Sequence, residues 1–452
     1  MKKLFGTDGM RGAAGEFPLD LETIRVIGAS LARQFIEKNG NAPKFLIGRD
    51  TRESGEWMEK AFCEGAATHG AECVSAGIIT TPGVAFLTHD QNADAGIVIS
   101  ASHNPFHDNG IKIFSPTGKK IDEATERVIE KDISNADCIA KSEEFQAKSA
   151  EQRLTGDLQE RYLIHLEQEF PALSLSNLKI VLDCANGAAS DLAPRLFERF
   201  GATVTSIFNT PNGRNINADC GSLHIEKLQE TVLAEKADFG VAFDGDADRA
   251  LFVDEKGVFV DGDATLWAMA CHLQNKNELK NDLVVATVMS NLGLENALKN
   301  RGIELRRTDV GDKYVLEELL KTNSALGGEQ SGHIIFPRRS LVGDGMLTAL
   351  FLLEAMQEKQ SKLSDLIHGF ERLPQILVNI RVREKLPFAR VPKIAEAADE
   401  IESELGAKGR LLLRYSGTEL LARVMIEGER QENIDEQANR LAAVIRQELG
   451  FN

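Results

Sequence analysis

Several short apolar runs in this chain stop abruptly at polar or glycine-bearing turns, and amphipathic stretches usually follow them. The clearest are Lys44-Phe45-Leu46-Ile47 before Gly48-Arg49-Asp50, and Lys179-Ile180-Val181-Leu182 before Asp183-Cys184-Ala185-Asn186-Gly187. A third is Leu283-Val284-Val285-Ala286-Thr287-Val288 before Met289-Ser290-Asn291. Runs of this length with little alternation suit strands buried on both faces of a parallel or mixed sheet. Stretches such as Leu21 to Glu37 and Asp191 to Phe200 fit crossover helices between them. The even spacing of the three strand-to-turn units is what three similar α/β domains would produce, although the sequences themselves barely match.

The pattern changes after about residue 375. An alternating run (Ile376 to Val382), a helix rich in alanine and glutamate (Lys393 to Leu405), two more apolar runs and a final helix suggest a small α+β domain. Polar segments around Lys141 to Gln152 and near Arg372 to Gln375 read as boundaries. The expected division is 1–150, 151–255, 256–370 and 371–452: three related α/β domains with mixed sheets and a smaller α+β C-terminal domain. Length alone, 452 residues at roughly 150 per domain, suggests about three.

Charge narrows the function classes. Lysine and arginine number 52 against 69 aspartates and glutamates, a net charge of -17. That sign argues against a broad nucleic-acid or anionic-membrane surface. An acidic protein that handles phosphate must concentrate its positive charge locally. Met1-Lys2-Lys3 is followed by Gly6, Thr7 and Asp8 rather than an apolar stretch, so no signal peptide is visible. The most apolar window, Met346 to Leu353, falls far short of the ~18 residues of a membrane span. Cys63, Cys73, Cys138, Cys184, Cys220 and Cys271 form no C-x-x-C pair, which reads as thiols in a reducing compartment and makes the cytoplasm the expected location.

Four loops carry candidate chemistry. In Ser100-Ala101-Ser102-His103-Asn104-Pro105 an apolar strand delivers a serine beside a histidine, well placed for a nucleophile or phosphate carrier. The same string is also an ordinary Ser/Asn/Pro turn, and it lacks the G-x-S-x-G elbow of an esterase. In Phe243-Asp244-Gly245-Asp246-Ala247-Asp248-Arg249, carboxylates at i, i+2 and i+4 lie on one side of a curling segment and repel unless a cation joins them. Three oxygens from a short rigid loop suit Mg²⁺, which takes phosphate or water for its remaining positions. An EF-hand would place Glu255 at position twelve, but Arg249 stands at position six, where glycine is needed, and strand-like runs flank the loop. Arg249 itself would suit a phosphate oxygen. A solvated acidic turn is the plain alternative.

Gly327-Gly328-Glu329-Gln330-Ser331-Gly332-His333 offers a carboxylate, an amide, a hydroxyl and an imidazole, a suitable set for sugar hydroxyls, and equally a polar surface loop. Arg414-Tyr415-Ser416-Gly417-Thr418-Glu419, followed by Arg423, has small hydroxyl residues around glycine that can turn N–H groups toward an anion, with two arginines to clamp it. A hairpin turn with incidental arginines is the alternative.

Each loop alone is ambiguous, but their combination and order closely resemble the four signatures of the α-D-phosphohexomutases. Phe5-Gly6-Thr7-Asp8-Gly9-Met10-Arg11-Gly12 extends the resemblance to nearly the whole chain. Ser100 to Pro105, Gln330, Ile216 to His224 and Thr308 to Tyr314 point to the branch of the family that acts on amino sugars. Two departures stand out: Met10 where isoleucine or valine is frequent, a packing change, and Leu420 where proline usually follows Glu419, which puts the shape of the phosphate loop in question.

The resemblance implies four domains around a central cleft. It also implies interconversion of glucosamine 6-phosphate and glucosamine 1-phosphate on the route to UDP-N-acetylglucosamine. Ser102 would carry a phosphate, with one Mg²⁺ on Asp244, Asp246, Asp248 and the Ser102 phosphate. A phosphate of the sugar would dock on Arg414, Ser416, Gly417, Thr418 and Arg423, while Glu329 and Ser331 hold ring hydroxyls. Arg11, His103 and Lys112 would line the transfer site. Lys112 would shuttle a proton if its neighbours lower its pKa, with His333 as the alternative acid/base. Glucosamine or glucose 1,6-bisphosphate would serve as intermediate and activator, and a homodimer is expected by resemblance. Two rivals are the same chemistry on glucose or mannose phosphates and a phosphosugar-binding protein without turnover.

Overall fold

The apolar runs become strands, and each domain builds one sheet around them. The structure is a computed structural model that describes residues 3–135, 155–416 and 419–451. The expected boundary at Lys141 to Gln152 and Cys138 lie outside the described residues. The described residues up to Thr287, together with Arg306–His368, form one compact unit; Val288–Leu305 and the residues from Gly369 onward form a second.

The first sheet contains β1 (Phe5–Gly6), β2 (Gly9–Ala13), β3 (Lys44–Arg49), β4 (Glu72–Ile78), β5 (Ala95–Ile99) and β6 (Asp108–Phe114), in the order β1-β2-β6-β5-β3-β4. The second contains β7 (Lys179–Asp183), β8 (Thr203–Ile207), β9 (Phe239–Phe243), β10 (Ala250–Asp254) and β11 (Phe259–Val260), in the order β11-β10-β9-β7-β8. The third contains β12 (Leu283–Thr287), β13 (Glu304–Thr308), β14 (Leu326–Gly328) and β15 (Ile334–Ile335), in the order β13-β12-β14-β15.

One plan underlies all three. β3, β7 and β12, the runs singled out by the sequence pattern, each pair in parallel with a later strand: β5, β9 and β14 respectively. That later strand then turns back into an antiparallel partner, β6, β10 or β15. Each of the first three candidate loops is this turn. β5, β9 and β14 are buried along their whole lengths, so burial on both faces anchors the residues from which each loop departs.

Helices cover the sheets as expected, with Leu21–Asn39 and Gly55–Ala67 packing Ile24, Ile27, Leu31, Met58 and Phe62 against Phe45, Ile47, Ile97 and Ile111. In the second unit, β16 (Gln375–Arg381), β17 (Arg410–Tyr415) and β18 (Leu421–Glu427) form an antiparallel sheet in the order β16-β18-β17. Helices Pro392–Leu405 and Gln431–Leu449 close its core around Ile394, Val424, Ile426, Leu441 and Ile445. Among the described residues no helix is long and apolar enough to cross a membrane, and no disulfide joins Cys63, Cys73, Cys184, Cys220 and Cys271 to one another.

Asp183, at the end of β7, accepts the N–H groups of Ala185 and Gly221, each at 2.9 Å. Burial outweighs these bonds and pushes its pKa from 3.8 up to about 6. The folded value therefore lies above the unfolded one. The associated stability is fully present below pH 4 and is lost as pH rises through 6. Two pKa units correspond to on the order of 3 kcal/mol. Asp183→Asn should therefore lower Tm less at pH 8 than at pH 5, and an equal drop at both pH values would show that Asp183 titrates normally.

Candidate active site

The turn after β5 places Ser102 in the left-handed region, at φ +53°, with its side chain fully buried. Ser102 Oγ donates to Asp244 Oδ2 at 2.5 Å and lies 3.2 Å from His103 Nδ1. Burial, with Arg249 and Arg11 nearby, lowers the His103 pKa to about 4, so the ring is neutral around pH 7. The serine and acidic loops, 142 residues apart in sequence, thus meet at one atom pair.

Asp244, Asp246 and Asp248 are all buried, and they present ligand oxygens within 4.8 Å of one another. Burial, then repulsion from Asp248 and Asp246, pushes the Asp244 carboxyl well above the usual range. Lys112 Nζ lies 2.8 Å from Asp246 Oδ2, 3.1 Å from Asp248 Oδ2 and 3.0 Å from Asp8 Oδ2. The second oxygens of Asp246 and Asp248 are buried without a hydrogen-bond partner. Orphaned carboxylate oxygens in a buried all-oxygen cluster are what a small hard dication would satisfy, so the residues fit Mg²⁺. Thr81, at the start of helix Thr81–Asp90, orients Asp246: its Oγ1 donates to Asp246 Oδ2 at 2.5 Å and its N–H to Asp246 O at 3.0 Å.

The expectation for Lys112 requires correction. Burial would lower its pKa, but Asp246, Asp248 and Asp8 outweigh burial and hold it well above the ordinary lysine value. These neighbours therefore favour the protonated lysine and do not supply the lowered pKa on which the proton-shuttle expectation depended. Asp248 shows the reciprocal effect: burial would raise it, yet Lys112, His333 and Arg249 hold it well below the carboxylate range.

Asp8 joins the remaining groups. It pairs with Arg11 and lies 2.6 Å from Lys120 Nζ, which also reaches Asp312 at 2.6 Å. Arg11 further reaches Asn104 Oδ1 at 3.4 Å. Arg249 sends its N–H to Asp244 Oδ1 at 3.2 Å, and its guanidinium Nε, 3.8 Å from Asp248 Oδ1, is buried without a hydrogen-bond partner.

His333 is buried with Nδ1 3.7 Å from Asp248 Oδ1, and its Nε2 accepts the Gly343 N–H at 3.0 Å. Burial lowers its pKa, and Asp248, Asp312 and Glu329 raise it further than burial lowers it. The Gly343 N–H nevertheless requires a lone pair on Nε2, so the geometry favours the neutral ring with its proton on Nδ1. Glu329 Oε1 accepts the Gly311 N–H at 3.1 Å, and Gln330 donates to Asp263 at 3.1 Å; Ser331 is half-buried beside them in the loop.

In the second unit, Arg414 on β17 and Arg423 on β18 are direct cross-strand partners. Like charges set opposite each other destabilise a sheet unless an anion joins them. Arg423 Nε is buried without a hydrogen-bond partner, and its Nη2 lies 3.8 Å from Glu419. Ser416 O accepts Lys385 Nζ at 2.6 Å, and Ser416 Oγ accepts the Glu419 N–H at 3.3 Å. Leu420, the departure from proline, is half exposed, and its carbonyl accepts the Val382 N–H at 3.0 Å. Gly417 and Thr418 lie outside the described residues.

Models of the four domains of one family match the chain in order. Phosphoglucomutase/phosphomannomutase alpha/beta/alpha domains I, II and III match residues 2–139, 160–257 and 261–373, and the C-terminal domain matches 377–444. The chain belongs to this family. Within it, the chain is 47% identical to the phosphoglucosamine mutase of Solibacter usitatus, covering 99% of each chain. It is 48% identical to that of Citrifermentans bemidjiense, covering 100% of this chain and 99% of the relative. Among solved structures, a phosphoglucomutase/phosphomannomutase family protein of Burkholderia thailandensis aligns with TM-score 0.80 at 24% identity over 100% of both chains. An Aspergillus fumigatus N-acetylphosphoglucosamine mutase, in complex with GlcNAc-6P and magnesium, aligns with TM-score 0.67 at 19% identity, covering 98% and 95%.

Several groups of this family member's site carried no sequence signal of their role: Asp8, Thr81, Lys120 and Asp312. Asp8 sits inside the Phe5-to-Gly12 string, which marked the family but not the residue. Asp312 likewise sits inside the Thr308-to-Tyr314 string, and Thr81 and Lys120 become visible only through distances.

Proposed function

We propose that the chain interconverts glucosamine 6-phosphate and glucosamine 1-phosphate through a phosphoserine at Ser102 and a 1,6-bisphosphate intermediate. The observation that carries this reading is the 2.5 Å contact between Ser102 Oγ and Asp244 within a buried three-carboxylate cluster. Full-length relatives bearing the name phosphoglucosamine mutase support the choice of sugar.

In the first half-reaction the free sugar hydroxyl oxygen attacks the phosphorus of phosphoserine. The new P–O bond forms, the P–Oγ bond of Ser102 breaks, and the hydroxyl proton leaves the sugar while Oγ regains one. The second half-reaction reverses these steps with the other phosphate of the bisphosphate. Neutral His103, 3.2 Å from Oγ, is placed to exchange the serine proton through Nδ1. Lys112 and Arg249 supply fixed positive charge beside the transferring group, where charge spreads over the equatorial oxygens. Mg²⁺ held by Asp244, Asp246, Asp248 and the phosphate on Ser102 would neutralise that developing charge. Glu329 and Ser331 hold ring hydroxyls. Arg414, Ser416, Gly417, Thr418 and Arg423 bind phosphate. A sugar 1,6-bisphosphate serves as activator.

The test is kcat/KM for glucosamine 6-phosphate, glucose 6-phosphate and mannose 6-phosphate, each with Mg²⁺ and a trace of sugar bisphosphate. A clear preference for the amino sugar is expected. Preference for glucose or mannose would keep the family chemistry and overturn the substrate. For the phosphate loop, Arg423→Ala should raise KM about 10- to 100-fold, the loss of one or two hydrogen bonds to a charged group. Its kcat should change far less, and an unchanged KM would remove Arg423 from phosphate binding.

A further inference from the structure

Two side chains outside the reacting set converge on the backbone of the serine loop. Arg52, only 1% exposed, pairs through Nη1 with Asp50 and donates through Nη2 to the carbonyls of Ser102, at 3.2 Å, and Asn104, at 2.5 Å. From the second domain, Asn217 Nδ2 donates to the same two carbonyls, each at 2.9 Å. Asp50 closes the circuit. Its Oδ2 receives Ser100 Oγ at 2.5 Å, and Ser100 Oγ accepts the Ser102 N–H at 3.0 Å. The acidic loop presses on the same point: a Cβ added at Gly245 would lie 2.5 Å from Ser102 O.

This backbone needs holding. A serine at φ +53° occupies a region that costs a non-glycine residue of order 1–3 kcal/mol and persists only where its surroundings over-determine it. Left to itself the loop would relax and swing Oγ away from Asp244. We infer that Arg52 and Asn217 are positioning residues, a two-sided clamp on the Ser102 and Asn104 carbonyls that keeps Oγ aimed at the acidic cluster while Ser102 is without its phosphate.

The inference rests on the mutase reading. The oxygen that gives up phosphate in the first transfer must accept phosphate in the second, so its position must outlast the bond. The sugar bisphosphate is free to escape during that interval, and a loosened loop lengthens it. The clamp acts on main-chain carbonyls, so its loss should affect recapture rather than substrate affinity.

Arg52 also carries the buried ion pair with Asp50, so the decisive variants are at Asn217. Asn217→Gly removes only the amide, because glycine adopts the φ of +57° found there. Asn217→Asp keeps the shape but cannot donate. Both should lower kcat roughly 10- to 100-fold, the scale of a misplacement of about 1 Å, with KM for glucosamine 6-phosphate within about threefold of wild type. The concentration of glucose 1,6-bisphosphate needed for half-maximal activation should rise by about the same factor, because escaped intermediate must be replaced. A purely structural role would lower Tm and active fraction but leave that requirement unchanged.

Intact-mass measurement of Ser102 phosphorylation by glucose 1,6-bisphosphate supplies a readout independent of turnover. A wild-type protein that takes up phosphate, with variants that take it up much more slowly, is the expected result. Variants phosphorylated and activated like wild type would overturn the clamp alone. A wild-type protein that takes up none would overturn the mutase reading and the clamp with it.

Discussion

Replacing Ser102 with alanine is expected to lower turnover by roughly 10⁴- to 10⁶-fold, the range seen when a nucleophile is removed from an otherwise intact site. The reason is geometric. Ser102 Oγ is the hydroxyl that touches the acidic cluster from the serine loop, and the nearby hydroxyls of Thr81 and Ser100 are committed to Asp246 and Asp50. Removing one oxygen leaves Lys112 and Arg249 in place. Binding of glucosamine 6-phosphate, measured by calorimetry, should therefore stay within a few-fold of wild type. Mass spectrometry should find no phosphate on the variant after incubation with sugar bisphosphate. Turnover within tenfold of wild type would eliminate the phosphoserine, and lost binding with retained phosphorylation elsewhere would relocate it.

Asp244→Asn should separate stability from activity. The ionised form of Asp244 is opposed, first by burial and then by Asp248 and Asp246. An asparagine can keep its oxygen on the Arg249 N–H and turn its amide to donate to Ser102 Oγ, while removing a charge that its neighbours repel. In the presence of EDTA the variant should melt at or above the wild-type temperature. Activity should nevertheless fall by about 10³-fold, comparable with the loss of an electrostatic stabiliser of the transition state, and the Mg²⁺ concentration required should rise. A drop in Tm with full activity would show that Asp244 is structural.

The parts of the site legible in sequence are those that fold compresses into contiguous strings. β9 turns back into β10 so tightly that the acidic ligands must be near neighbours, and the serine and arginine loops are similarly short turns. The domain plan was legible for a related reason: β3, β7 and β12 are buried on both faces and so leave unbroken apolar runs. What escaped were interactions across space. Lys112 reads as a lysine on a strand, and nothing adjacent reveals that Asp8, Asp246 and Asp248 surround it. The direction in which its pKa is shifted was therefore open until the carboxylates were located. Arg52 and Asn217 escaped because their partners are carbonyl oxygens, which every residue has and no motif records.

The shared plan of the three α/β sheets bears on how such a site arises. Each reactive loop leaves the end of a buried parallel strand and returns through an antiparallel one, so the ladder holds both of its ends whatever residues lie between. Sequence change confined to such a loop therefore alters which side chains are presented while leaving the sheet's hydrogen bonds in place, in residues 329–333 as in the other two loops.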